Sequence, residues 1–157
     1  MVETHEQAVK RGKKSRRDGA MFEILVRKDL EKKEWIVDRW GNNVEFIKSP
    51  NEKGEMLIEP EKTKLVKAKS NRFNMRSTGF PDFLAFKNLN KFGHFKDFRK
   101  EPPENLIVYE VIAVECKSNG TLSKEEEQKC EWYLKNKIFS KILIASKGEK
   151  RGEIVYR

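Results

Sequence analysis

The chain has 157 residues, enough for one domain with a sizeable core. Charged residues make up 38% and hydrophobic residues 37%, and no apolar run approaches the roughly 18 residues that span a bilayer, so no membrane partner is expected. Lys and Arg number 34 against 25 acidic residues, a net charge of +9, which favours a polyanionic partner, most often nucleic acid, over a merely solubilising surface.

Residues 1–17 carry Lys10, Arg11, Lys13, Lys14, Arg16 and Arg17 with no apolar periodicity. They read as a basic arm or a frayed helix start, either lying along phosphates or solvated as a tail. The opening Met-Val-Glu-Thr-His-Glu lacks the apolar core of a signal peptide. A helix is predicted over 18–33, with Asp18 as its cap and Met21, Phe22, Leu25, Val26 and Leu30 as its apolar stripe. Glu23 lies beside that stripe, with Arg27 one turn on as an ordinary ion-pair partner.

Trp35 to Trp40 reads as a first strand, and Gly41-Asn42-Asn43 as a turn. Residues 44–76 hold three short strand-like runs, at 44–47, 56–58 and 65–69, interrupted by Pro50 and Pro60. Lys62, Lys64, Lys67, Lys69, Arg72 and Arg76, with Phe73 among them, suit a surface that tracks a phosphate backbone, or equally a charged hairpin without a ligand. Ser77 to Phe86 carries Asp82 at the mouth of an apolar strand, where Gly79 permits a close approach and Pro81 suits a strand start.

Residues 87–105 mix Lys87, Lys91, Lys96, Arg99 and Lys100 with aromatics, and read as a second insertion. Leu106 to Lys117 is the central strand, apolar enough to be buried on both faces. A helix over 123–136 follows, with Ser123 and Glu126 as a capping box. Strands at 139–146 and 153–156 complete the chain. The order helix, strand, strand, strand, helix, strand predicts an α/β fold, a mixed sheet of four or five strands flanked by helices.

Cys116 and Cys130 make no disulfide framework, and neither has a neighbour at zinc-ligand spacing. The chemistry points instead to two carboxylates, Asp82 and Glu115, placed where apolar neighbours make them costly. Glu115 and Lys117 share one face of their strand, because strand side chains alternate. Ending a buried apolar strand in Glu-x-Lys is poorly explained by stability, since desolvating an ion pair can exceed its Coulomb gain.

Pro81-Asp82 followed by Glu115-Cys116-Lys117 resembles the signature of the PD-(D/E)XK nuclease superfamily. The surrounding pattern is most similar to archaeal Holliday-junction resolvases and virus-type replication-repair nuclease domains, over residues 18–40 and 77–146. The resemblance implies a restriction-endonuclease-like core in 18–157, with 44–76 as a basic insertion between the first two core strands. It implies Mg²⁺, for which Mn²⁺ can substitute, held by Asp82, Glu115 and the backbone carbonyl of Cys116, with Glu23 contributing through water. Lys117 would orient the attacking water, and Gln128, or Lys124 on the same helix, would touch the scissile phosphate.

Lys13, Lys14, Arg16, Arg17, Arg72, Arg76 and Lys124 are the expected nucleic-acid contacts. The expected activity is metal-dependent endonucleolytic hydrolysis of DNA, branched or junction DNA among the substrates, by an intracellular, cytoplasmic protein of prokaryotic, archaeal or viral source. Joint resolution would require paired sites and hence a homodimer. The competing readings are a non-catalytic nucleic-acid-binding protein on the same fold and a basic protein-interaction module. The sequence offers no Walker-type phosphate loop and no recognisable Ser/His/Asp set.

Overall fold

A computed structural model describes residues 4–59, 62–68, 79–89 and 107–157. The first element, α1, runs His5–Lys32 and is far longer than the helix expected from residue 18. Its start is fixed by a capping box: the Thr4 hydroxyl accepts from the Gln7 amide, and the Gln7 side chain accepts from the Thr4 amide. The basic arm is therefore helical from residue 5, and Asp18 lies inside the helix and caps nothing. Apolar periodicity gives no sign of this half because it contributes nothing to the core: no described residue of α1 before Phe22 is buried. Of the expected stripe, Phe22, Val26 and Leu30 enter the core, whereas Met21 and Leu25 are exposed.

Five strands form the main sheet: β1 (Ile36–Arg39), β6 (Phe83–Asn88), β7 (Tyr109–Cys116), β8 (Lys141–Lys147) and β9 (Ile154–Tyr156), side by side in that order. Every pairing is antiparallel except β7 with β8, which run parallel and are joined across the second helix, α2 (Lys124–Lys135). Four shorter strands intervene between β1 and β6. They form two separate pairs, β2 (Asn42–Glu45) with β5 (Lys64–Lys67) and β3 (Lys48–Pro50) with β4 (Met56–Ile58). Asn42 and Asn43, expected in a turn, are the first residues of β2 and pair with Lys67 and Val66. Pro50 closes β3 rather than breaking it. Lys69, Arg72, Phe73 and Arg76, and most of the second insertion, lie outside the described residues.

The sheet is covered on both faces. Phe22, Val26 and Leu30 of α1 pack on Val37, Phe83, Ala85, Ile112, Val114 and Ala145. Tyr133 of α2 packs on Phe80, Ala113, Phe139 and Val44, the last from β2. Alternation along β7 thus sends Ile112, Val114 and Cys116 toward α1, and Ala113, with Glu115 two residues on, toward α2. No helix among the described residues is long and apolar enough to cross a membrane.

Candidate functional site

The site forms where β1, β6 and β7 stop at one end of the sheet. The register pairs Arg39 with Phe83 and Phe83 with Val114, so Asp82 stands opposite Glu115, one step beyond the last pair. Backbone bonds clamp the segment that carries Asp82. The Gly79 amide donates to the Trp40 carbonyl (2.9 Å), the Phe80 amide to Asn42 (3.0 Å), and the Trp40 amide to the Asp82 carbonyl (3.1 Å). A Cβ at residue 79 would overlap the Asn42 carbonyl, so only glycine allows this approach. The Phe80–Pro81 bond is cis. From α2, the buried Tyr133 hydroxyl donates to the Phe80 carbonyl (2.7 Å) and accepts from the Trp40 indole (3.1 Å).

The two carboxylates interlock through the backbone. The Cys116 amide donates to Asp82 Oδ2 (2.8 Å), and the Asp82 amide donates to Glu115 Oε2 (3.2 Å). Glu115 is only 5% exposed. Burial and the neighbouring Asp82 charge push its pKa up to about 7, against the pull of Lys117. Burial also raises Asp82, to about 6; the Cys116 amide opposes the rise, the Glu23 charge adds to it, and Lys117 and Arg39 counter it. Two carboxyl groups titrating near neutrality beside each other form a site short of positive charge.

Lys117 supplies part of that charge. Its ammonium lies 3.2 Å from Glu115 Oε1 and 2.6 Å from Glu126 Oε1. Burial disfavours its charged form, but the bonds to Glu126 and Glu115 prevail and its pKa is raised. Glu126 has a double role, since its other oxygen accepts from the Ser123 amide at 2.8 Å in the α2 capping box. On the α1 side, Glu23 pairs with Arg39 at 3.0 Å rather than with Arg27, which bonds Glu31 instead.

The donor set suits a hard divalent cation. Asp82 and Glu115 offer two adjacent carboxylates whose mutual repulsion an ion would relieve. The N–H and C=O of one strand residue face the same edge, so the Cys116 carbonyl faces the edge on which its amide meets Asp82. The Cys116 thiol points into the core and burial pushes its pKa up, so the sulfur is no candidate ligand. Among the described residues no group of three or more His, Cys, Asp or Glu side chains could hold a metal, and Glu23 is paired with Arg39.

Asp82, Glu115, Cys116 and Lys117 thus come together, and Glu23 acts on Asp82 through its charge. Gln128 and Lys124 do not join them. Each lies two residues from Glu126, about 200° around the helix, and both are exposed on the side turned away. The residues that sequence reasoning missed are Arg39 and the second bond of Glu126. The capping-box pattern marked Glu126 only as a cap, and Arg39 could be placed only by knowing the β1–β6 register. Lys13, Lys14, Arg16 and Arg17 are exposed on the unpacked half of α1, while Arg72 and Arg76 lie outside the described residues.

No family model, curated protein or solved structure matches this chain. The functional reading therefore rests on the site itself.

Proposed function

We propose that the protein is a metal-dependent deoxyribonuclease that hydrolyses phosphodiester bonds at Asp82, Glu115 and Lys117, on a restriction-endonuclease-like core of the PD-(D/E)XK type. The observation that carries this reading is the facing pair Asp82 and Glu115, each with its pKa raised toward neutrality, with Lys117 on the same strand. A purely structural ion pair would not be assembled with a second, under-compensated carboxylate.

Asp82, Glu115 and the Cys116 carbonyl would hold Mg²⁺, which when bound neutralises phosphate charge and makes a water acidic enough to attack near pH 7. Lys117 orients that water and stabilises negative charge as it develops on the phosphate. Glu126 holds the Lys117 ammonium and ties it to the start of α2. Glu23 adds negative potential, tempered by Arg39.

The test uses labelled linear, flapped and four-way-junction DNA with and without Mg²⁺. Cleavage of at least one that requires Mg²⁺ and is lost in Glu115→Gln is expected. Binding without cleavage of any of the three would overturn the hydrolytic reading. It would favour the second one, non-catalytic DNA binding, which the exposed basic half of α1 supports independently of the carboxylates.

A further inference from the structure

A cleft of about 410 Å³ lies between α1 and the ends of β7 and β8, lined by Arg11, Lys14, Asp18, Gly19, Ser118 and Lys147. Three cations face a single acid there. Among the described residues neither Lys14 nor Lys147 forms an ion pair; the Lys147 ammonium lies over the Phe22 ring at 5.9 Å. The cleft opens at the same end of the sheet as the carboxylate site, next to it in sequence on two elements. Ser118 directly follows Lys117, and Gly19 lies one helical turn before Glu23, whose charge raises Asp82. The basic half of α1 therefore overhangs the same end of the sheet as Asp82 and Glu115.

The glycines of α1 bear on what enters. Glycine is the poorest helix former after proline, yet Gly12 and Gly19 both lie inside this exposed helix, and a Cβ at either would meet nothing within 4 Å. Gly19 leaves the helix backbone bare on the cleft wall, where a bulky group can approach closely.

We propose that this cleft is a docking subsite for the sugar-phosphate backbone of duplex DNA, held by Arg11, Lys14 and Lys147 against the bare surface at Gly19. The subsite deepens the nuclease reading by giving the strand a path away from Lys117, but binding there needs neither metal nor cleavage. The contacts are to phosphates, so they orient the duplex without reading its sequence.

The experiment measures affinity for a labelled 20-base-pair duplex in a chelator across a salt series, so that binding alone is read. Lys14→Glu and Lys147→Glu should each flatten the slope of log affinity against log salt by about 0.9 or more per lost phosphate contact. Lys135→Glu, an equal charge change at the far end of α2, should leave the slope close to the parent's. Gly19→Leu should raise the melting temperature, since leucine favours the helix, and yet weaken DNA binding by filling the cleft. Equal slopes for all three charge variants, or undiminished binding by Gly19→Leu, would overturn the subsite. Tighter binding of an RNA duplex of the same sequence would overturn the choice of DNA. Because no cleavage is read, a failure of the subsite and a failure of the hydrolytic reading remain distinguishable.

Discussion

Two carboxylate sites, one a pair and one a single aspartate, sit at different places on this fold and have opposite electrostatic character. Where α1 meets β9, Asp29 Oδ2 accepts from the Lys33 ammonium (2.6 Å) and from the Tyr156 hydroxyl (2.7 Å). Burial alone would raise its pKa, but these two bonds prevail and it is lowered. At the Asp82–Glu115 pair burial wins, and both pKa values rise. The difference is one of burial, since Asp29 is far more exposed than Asp82 or Glu115, and of supply. Asp29 has a lysine and a hydroxyl to itself, whereas Asp82 and Glu115 repel each other and draw on Lys117, which Glu126 also claims. A carboxylate given its own donors keeps its charge cheaply; two that share one lysine are left short of positive charge.

The largest effect that would break this comparison is loss of cleavage. Asp82→Asn and Glu115→Gln should each reduce Mg²⁺-dependent cleavage to background, while raising the melting temperature at pH 8 without divalent ions, because each removes one of two repelling charges. Near-full activity in either variant would remove the site assignment. Next in size, Lys117→Met should keep its fold and still bind Mg²⁺ and DNA, yet cleave about 10²–10³-fold more slowly, the scale of losing one preorganised charge stabiliser. A variant that unfolds would return Lys117 to a structural ion pair.

The comparison sharpens with pH. The folded protein holds protons on Asp82 and Glu115 that the unfolded chain releases near pH 4. Stability therefore falls as pH rises from about 4.5 to about 7, by about 2 kcal/mol after allowing for the coupling of the pair. Melting curves at pH 5 and pH 8 in chelator should show this loss, and saturating Mg²⁺ should reduce it at the upper pH. Asp29 behaves oppositely, contributing stability above its unfolded pKa that is lost only as pH falls below about 4. Asp29→Asn should therefore destabilise by about 1 kcal/mol at pH 7, a modest figure because the pair is partly exposed, and by nothing measurable near pH 2. If Asp29→Asn and Glu115→Gln shifted the melting temperature in the same direction at pH 8, the two sites would not differ as described.

What could be read from the sequence follows from which signals are local. The Ser123–Glu126 cap and the apolar run ending in Glu115 are each encoded within a few residues, and both are present; Gly79 marks a close approach, but its partners, Trp40 and Asn42, are distant in sequence. The start of α1 is equally local, in Thr4 and Gln7, but no apolar stripe accompanies it, because a helix that overhangs the core needs none. The Lys117–Glu115 pair is legible from strand alternation, but the partnerships Glu23–Arg39 and Lys117–Glu126 are not. Arg39 reaches Glu23 from 16 residues away and Glu126 reaches Lys117 from 9, across elements whose relative placement the sequence pattern does not fix. The short strands between β1 and β6 were blurred by Asn42 and Asn43, whose turn preference yields to pairing with β5.

The Trp40 indole carries a consequence of its own. It donates to the Tyr133 hydroxyl, which in turn holds the Phe80 carbonyl, while the Trp40 backbone amide holds the Asp82 carbonyl. The ring also lies edge-on to Tyr133 and to Phe139, at 6.2 and 5.1 Å between centroids. A chromophore so connected senses any shift of the Asp82 segment as a change in its surroundings. Trp40 emission thus gives the molecule a native optical gauge of where the Asp82 segment sits, readable without a label and without a substrate.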